Sequence, residues 1–377
     1  MTAPPPPPPP PVWVGIQDQL IPVVEALRGA PRIALDTEFH AERRYAPELM
    51  LVQLALPDGR SWVLDGRVLD LRPLGAALCE AEWVVHCATF DVPLLVDATG
   101  ARPRHVWDTQ ILAAFLGFDY PLRLDLLAGS ALGLTVDKGA SLTDWTQRPL
   151  SDAQLRYAAA DATVTLALME VLRERLPADR RAAALAASDE LARESLVAPD
   201  PNRGWLNLDV ATDFSLEVRR VLDALCTWRE AEARNHDQPA FYLLSDGIAL
   251  DLARRRPTTL SALLENRRLP PALAKRHGGA LLQQIQAALR SSNEPPAALT
   301  RDQLRLARTL PVWALALEDE LGVAARLLMP PELARRVAMQ GVEAWTGWRQ
   351  DLAGRSLEQF LTGGSCIRIN NLKPVLS

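Results

Sequence analysis

At 377 residues the chain is longer than one ordinary hydrophobic core organises, so two or three domains are expected. Apolar residues make up 48% and charged residues 23%, the composition expected of a soluble globular protein, and no stretch reaches the apolar length of a membrane span. The net charge of −5 excludes a generic polyanion binder, although acidic metal ligands subtract from such a total while basic residues cluster elsewhere.

The N-terminus shows no charged stretch followed by an apolar one, and Cys79, Cys87, Cys226 and Cys366 have no CxxC spacing, so a reduced, cytoplasmic protein is expected. Pro4 to Pro11 are unbroken prolines, predicting a polyproline II tail over residues 1–12. Beyond it, Arg32-Ile33-Ala34-Leu35, Leu49 to Leu56 and Ser61 to Leu64 read as strands. Pro57-Asp58-Gly59-Arg60 supplies hairpin chemistry between the last two. A helical segment around Leu71 to Ala81 precedes another strand, Trp83 to His86. Hairpin strands followed by βα alternation predict a mixed sheet flanked by helices.

Ser151-Asp152-Ala153-Gln154 after Pro149 matches a capping box and starts a helix whose apolar stripe is Leu155, Ala159, Ala162, Leu166 and Met169. Beyond Leu176 strand signals almost vanish, and helical periodicity continues to the end. Its breaks lie at Pro199-Asp200-Pro201 and Asn293-Glu294-Pro295-Pro296. The two helical blocks share a faint echo, Leu252-Ala253-Arg254-Arg255 and Leu333-Ala334-Arg335-Arg336, which two related modules would explain.

Four acids carry the chemistry. Asp36 and Glu38 are two residues apart after the apolar run from Ile33, so strand alternation puts both carboxylates on one side. Asp91 follows the run from Trp83, and Asp161 lies one helical turn beyond Tyr157. Singly, each has an ordinary reading: a solvated strand end, an N-capping aspartate, an exposed helix position. Together they match what phosphodiester hydrolysis requires, since two divalent ions about 3.5–4 Å apart activate water and stabilise both attacking and leaving oxygens. Mg²⁺ or Mn²⁺ suits such oxygen ligands.

The connecting residues extend this match. IALDTEFHAERRYAPELMLVQLAL (33–56) resembles the first exonuclease motif of the DEDDy family, specifically its ribonuclease D branch. VVHCATFDVPLL is similar to the second motif, and TVDKGASLTDWTQRPLSDAQLRYAAADATVTLAL to the third with its lead-in; HVWDTQILAAFLG fits between them. The resemblance implies a ribonuclease-H-like α/β exonuclease domain that removes 5′-mononucleotides from RNA 3′ ends, tRNA precursors above all. It implies that Asp36 bridges two metal ions and that Glu38 and Asp161 complete the site of the nucleophilic water. Asp91 would serve the leaving-group side, and Tyr157 would orient the nucleophile. Arg44, Tyr45, Lys138 and Arg148 are candidates for phosphate or base contact, with surface packing as the competing role.

Trp228-Arg229, the segment Pro239 to Ser245 and Leu252 to Pro257 resemble an HRDC module, with Arg267, Arg268, Lys275, Arg276 and His277 as a local positive face. Arg301 to Gly364 resembles a more divergent copy, in which Trp345 and Trp348 fit a core stripe better than base stacking. The expected plan is a tail (1–12), an exonuclease domain (13–180), a helical linker (181–212) and two all-α HRDC-type modules (213–292 and 293–377). The partner is RNA with a single-stranded 3′ tail, with no membrane and no nucleotide cofactor, since no GxxxxGK[ST] occurs. Zinc spacing among the five histidines, the PCxxC half of a deaminase motif and a GxSxG elbow are all missing. Two rivals share the motifs: a DEDDy exonuclease acting on DNA, and a non-catalytic RNA-binding scaffold.

Overall fold

The computed structural model describes residues 10–136, 139, 143–197, 214–370 and 373–377. These fall into two units: one draws on residues up to 40, on 48–197 and on 308–377, the other on 41–47 and 214–307. Most of the proline tract and the break at Pro199-Asp200-Pro201 lie outside the described residues.

The first unit is built on a six-stranded sheet: β1 (Val12–Val14), β2 (Arg32–His40), β3 (Glu48–Ala55), β4 (Ser61–Asp65), β5 (Glu82–Val85) and β6 (Val106–Asp108). Their order is β1-β4-β3-β2-β5-β6. β3 runs antiparallel to β2 and β4, whereas β1 joins β4 and β5 joins both β2 and β6 in parallel. The expected mixed sheet is present, and the β3–β4 turn closes with Gly59 at φ +89°, a conformation that costs glycine little. The helices are α1 (Leu20–Leu27), α2 (Gly75–Glu80), α3 (Ala88–Thr99), α4 (Thr109–Ala114), α5 (Leu124–Leu132), α6 (Asp152–Arg175) and α7 (Ala178–Ser195). Alternation divides β2 between two layers. Ile33 and Leu35 enter a core with Leu20, Leu27, Leu78 and Val92, whereas the opposite face of the sheet carries α6, whose Ala158 and Ala159 pack on Leu51 and Val63.

Two features of this sheet place the site. β2 is longer than the apolar run predicts, so Asp36 and Glu38 stand within the strand instead of at its exit. β5, however, pairs only with Arg32, Ile33 and Ala34. Past Ala34 that edge of β2 is open, at the carboxyl end of the parallel strands, and α3 begins there. α6 starts with the expected capping box: Ser151 Oγ accepts the Gln154 N–H at 3.2 Å, and Gln154 Oε1 accepts the Ser151 N–H at 3.0 Å. Its buried arc is wider than the predicted stripe and includes Asp161 and Thr165, because the helix lies against β2, β3, β4 and β5 together.

The second unit comprises α8 (Leu216–Asn235), α9 (Ala240–Leu243), α10 (Asp246–Arg255), α11 (Leu260–Leu264) and α12 (Pro271–Arg290) around Val221, Leu225, Leu252, Leu281 and Ile285. Arg267, Arg268, Lys275 and Arg276 are exposed there as the positive face requires. His277 is not: it is buried edge-on to Trp228, 3.4 Å from Glu232, and burial lowers its pKa.

Helices α13 (Arg301–Leu321), α14 (Ala325–Leu328), α15 (Pro331–Gln340) and α16 (Trp348–Leu361) follow. From residue 308 onward they belong to the first unit. The Ala324 N–H donates to the Ala114 carbonyl at 2.9 Å, Trp348 packs on Phe115, and Arg349 reaches Glu190 at 2.6 Å. Trp345 and Trp348 are core residues, 2% and 4% exposed. The chain does not stay helical to its end: β7 (Ile367–Asn370) and β8 (Lys373–Leu376) pair antiparallel, and the alternation of Ile367-Arg368-Ile369-Asn370 spans only four residues. No disulfide joins the four cysteines, and among the described residues no helix is long and apolar enough to cross a membrane.

Arg349 is the polar clamp of this C-terminal part, donating to Glu190 and to the Leu327 and Leu328 carbonyls while 8% exposed. Breaking a buried pair from one side costs about 3–5 kcal/mol. Arg349→Ala should therefore lower the urea midpoint of the first unit markedly, and an unchanged midpoint would show that the clamp adds no stability.

Candidate active site

Where β2 loses its neighbour, Asp36 and Glu38 turn toward α6. One carboxylate oxygen from each of Asp36, Glu38 and Asp161 lies within 4.8 Å of the others. Asp36 and Glu38 keep partial solvent contact, while Asp161 is 6% exposed. Asp91 stands beside this trio, outside the 4.8 Å group, on the first turn of α3 and 5% exposed. The Thr37 hydroxyl, on the opposite side of β2 from Asp36, donates to Asp91 Oδ1 at 2.6 Å and ties the two elements together. Tyr157, one turn before Asp161, packs on Trp145, and its hydroxyl lies near enough to that carboxylate to lower its pKa.

Crowding like charges at a partly dry point disfavours their ionised forms. Burial, then repulsion from Asp91, Asp161 and Glu38, raises Asp36 well above the ordinary carboxylate range. Burial followed by Asp161 and Asp91 pushes Glu38 to about 9. Burial raises Asp91 to about 7 against the Thr37 hydrogen bond, and raises Asp161 to about 7 against that of Tyr157. Burial and the neighbouring carboxylates raise Tyr157 too, so at neutral pH it is a hydrogen-bond donor and not a base. Burial leads for all four; mutual repulsion follows for Asp36 and Glu38, whereas Thr37 and Asp108 follow for Asp91 and Tyr157 for Asp161, and no ion-pair partner for the four is found among the described residues. A buried set of hard oxygen donors with unbalanced negative charge fits divalent cations of the Mg²⁺ or Mn²⁺ kind.

The support is less visible in the sequence. Asp108, fully buried at the N-terminus of α4, accepts the Gln110 N–H at 2.9 Å and also the Ala88 and Cys87 N–H groups at 2.7 and 3.3 Å. It thereby caps α4 and the start of α3, where Cys87 holds φ +91°, and so fixes where Asp91 stands. An N-cap pattern in HVWDTQ is the only sequence signal for it. Asp65, 3% exposed, receives the Arg148 guanidinium in bidentate fashion at 2.6 and 2.7 Å. Burial raises its pKa, but Arg148 and the Arg67 N–H outweigh that and hold it below the usual range.

Arg148 is thereby a structural residue, and its remaining N–H groups go to the Trp145, Gln147 and Met50 carbonyls. Arg44 and Tyr45 belong to the second unit, where Asp237 accepts from the Arg44 side chain at 3.2 Å and from the Tyr45 N–H at 3.1 Å, and Arg234 lies over the Tyr45 ring. Lys138 lies outside the described residues.

Raised carboxylate pKa values carry a definite pH signature in the metal-free protein. Their favourable contribution to stability is complete below the unfolded-state pKa, near 4, and is lost as pH rises through about 7 and then about 9. In EDTA the melting temperature should fall between pH 6 and pH 9, and Mn²⁺ or Mg²⁺ should reverse that fall. Asp36→Asn should melt higher than the wild type in EDTA at pH 8. A flat profile, or a less stable Asp36→Asn, would show that the carboxylates do not strain the site.

The motifs and the geometry find the same kin. The 3′-5′ exonuclease family model matches residues 11–177, and the HRDC domain model matches residues 218–285. Ribonuclease D of Granulibacter bethesdensis is 32% identical over 371 residues, covering 94% of this chain and 93% of its own. That of Gluconacetobacter diazotrophicus is 34% identical over 360 residues, covering 91% of each. Among solved structures, Escherichia coli RNase D, an exoribonuclease involved in structured RNA processing, aligns with a TM-score of 0.81 at 26% identity, covering 94% of this chain and 99% of that one. The catalytic core of RRP6 from Trypanosoma brucei shares the fold, with a TM-score of 0.57 at 20% identity over 75% of this chain and 81% of its own. With the expected motifs assembled on a sheet of the expected kind, the chain belongs to the ribonuclease D family and is a 3′→5′ exoribonuclease.

Proposed function

We propose that the protein trims the 3′ ends of tRNA precursors and other structured RNAs in the cytoplasm, one 5′-mononucleotide at a time, by two-metal-ion hydrolysis. The observation that carries this reading is the convergence of Asp36, Glu38 and Asp161 within 4.8 Å, with Asp91 beside them and Tyr157 on Asp161. Two Mg²⁺ or Mn²⁺ ions would supply an activated water and charge neutralisation at the attacking and leaving oxygens. Asp36 would be shared by both ions, Glu38 and Asp161 would complete the nucleophile side, and Asp91 would serve the leaving-group side.

The chain's own part is positional. Tyr157, kept neutral by its surroundings, stands beside Asp161 and would offer a lone pair to an attacking water. Thr37 fixes one oxygen of Asp91 and leaves the other to the site. Structured RNA as substrate rests on the likeness to the Escherichia coli enzyme, which is described in those terms.

The helical modules would grip the body of the RNA while its single-stranded tail enters the site. Residues 293–377 are read as a second, divergent HRDC copy, supported by the order of elements. In both blocks a long helix leads to a four-residue helix (α9, α14) and a ten-residue one (α10, α15). The echo falls alike, since Leu252 and Ala253 in α10 and Leu333 and Ala334 in α15 are buried. Arg44 and Tyr45 are proposed to contact substrate from the loop 41–47.

A 5′-labelled tRNA precursor with a short 3′ extension, incubated with Mg²⁺, Mn²⁺ or EDTA, tests the proposal. A ladder shortening from the 3′ end is expected with metal only. Asp161→Ala should lower the rate at least about a hundredfold with folding intact, since several kcal/mol of transition-state stabilisation depends on the metal. Tyr157→Phe should be milder, losing up to about a hundredfold in kcat with KM kept, as a misplaced nucleophile would. Unchanged turnover in Tyr157→Phe would remove that residue from the mechanism, and preference for a matched DNA tail would overturn the RNA assignment.

A further inference from the structure

One polar side chain of the sheet has no part in the fold's hydrogen bonding. Gln53, within β3, is fully buried, and among the described residues neither its amide nitrogen nor its amide oxygen has a hydrogen-bond partner. No other buried side chain among them has two such atoms. Alternation places Gln53 with Leu51 on the face of the sheet that α6 covers, while Val52 and Leu54 enter the core on the other side. Its cross-strand partners are Val63 on β4 and Asp36 on β2. Leu51, Val63, Ala158 and Ala159 make that layer apolar, so a methionine or leucine would fill the position without the cost of an amide taken out of water.

What distinguishes the position is Asp36. Residues directly opposite each other on antiparallel strands carry their Cβ atoms about 4.5–5.5 Å apart on one face, within reach of a glutamine amide and an aspartate carboxylate. Two of the other acids have a side chain serving them in this way: the Thr37 hydroxyl donates to Asp91, and the Tyr157 hydroxyl lies beside Asp161. For Asp36 the hydrogen bond that favours its charged form comes from the backbone, that of Thr37. We propose that Gln53 is a positioning residue for the metal centre. Its amide N–H donates to the Asp36 carboxylate when that group is shared by two divalent ions, and so fixes the orientation in which both oxygens serve as ligands. A shared carboxylate gains most from such a donor, since its two oxygens must point at two ions at once. This rests on the two-metal reading of the same site and adds to it a residue from a strand that supplies no ligand. The unpaired amide destabilises the metal-free fold, and its nitrogen is satisfied with the ions in place.

The test titrates Mn²⁺ into the full chain without RNA, reading free Mn²⁺ by electron paramagnetic resonance, for wild type, Gln53→Met, Gln53→Leu and Asp36→Asn. Two apolar variants are used so that poor packing of one does not decide the result. Both should bind Mn²⁺ about 10–100-fold more weakly than wild type, the usual effect of removing a ligand's hydrogen-bonding partner. In EDTA both should melt at the wild-type temperature or above it, because an unpaired buried amide has gone. Loss of a mere packing residue does the reverse, lowering the melting temperature and sparing the affinity. Wild-type Mn²⁺ affinity in both Gln53 variants, or a lower melting temperature of both in EDTA, overturns the proposal. Asp36→Asn separates the two readings. If wild type binds Mn²⁺ no better than this variant, the metal centre itself falls and Gln53 with it. A weakened Asp36→Asn beside unaffected Gln53 variants removes the role of Gln53 alone.

Discussion

The rest of the structure depends on one electrostatic constraint: carboxylates that repel one another must be held together where water cannot screen them. Asp36, Glu38 and Asp161 converge within 4.8 Å and Asp91 bears on them from α3; burial raises all four, and repulsion within the set raises Asp36 and Glu38 further. Such an arrangement persists only if the elements that carry it are fixed by other means. It is also the condition that makes the site attractive to a doubly charged cation, because unbalanced negative charge in a poorly solvated place is stabilised most by what neutralises it.

The fixing can be traced residue by residue. The short β5 pairs with three residues of β2 and stops, which opens the edge that Asp36 and Glu38 occupy. Asp108 caps the start of α3 as well as that of α4, so the position of Asp91 is set by a buried acid that never enters the site. Arg148 neutralises Asp65 under the segment leading to α6, and the capping box of Ser151 and Gln154 begins the helix that delivers Tyr157 and Asp161. The C-terminal helices add rigidity to the same unit, with Trp348 on Phe115 and Arg349 on Glu190. The buried acids named here either meet a counter-charge or backbone N–H groups and stabilise the scaffold, as Asp65 and Asp108 do, or gather with other acids and build the site.

What the sequence announces is the part written in local chemistry. The spacing of Asp36 and Glu38, the turn residues around Gly59 and the Ser151–Gln154 cap each follow from a few neighbouring residues, and all are present. What it conceals depends on pairing across the chain. Nothing in Arg32 to His40 tells that β5 leaves the strand after Ala34, and helical periodicity assigns Asp161 to a separate strip because it cannot show that α6 covers four strands. Arg148 resembles a phosphate contact because a lone arginine near a motif shows no partner, and Asp65 lies 83 residues away in sequence. His277 reads as a basic surface residue for the same reason, its cover coming from Trp228 and Glu232 on another helix. The terminal hairpin does alternate in Ile367-Arg368-Ile369-Asn370, but over only four residues at the end of a helical region, and Pro374 interrupts its partner strand.

In the proposed reaction, water activated among these acids attacks the terminal phosphodiester and leaves the phosphate on the departing nucleotide. Digesting a short RNA in water enriched in oxygen-18, followed by mass spectrometry of the products, examines that step directly. The expected products are nucleoside 5′-monophosphates carrying one heavy oxygen on phosphorus, and a shortened RNA with an unlabelled 3′-hydroxyl. Cyclic phosphates or unlabelled mononucleotides would contradict it because they require a nucleophile other than water, and 3′-phosphates because they require the P–O5′ bond to break in place of P–O3′.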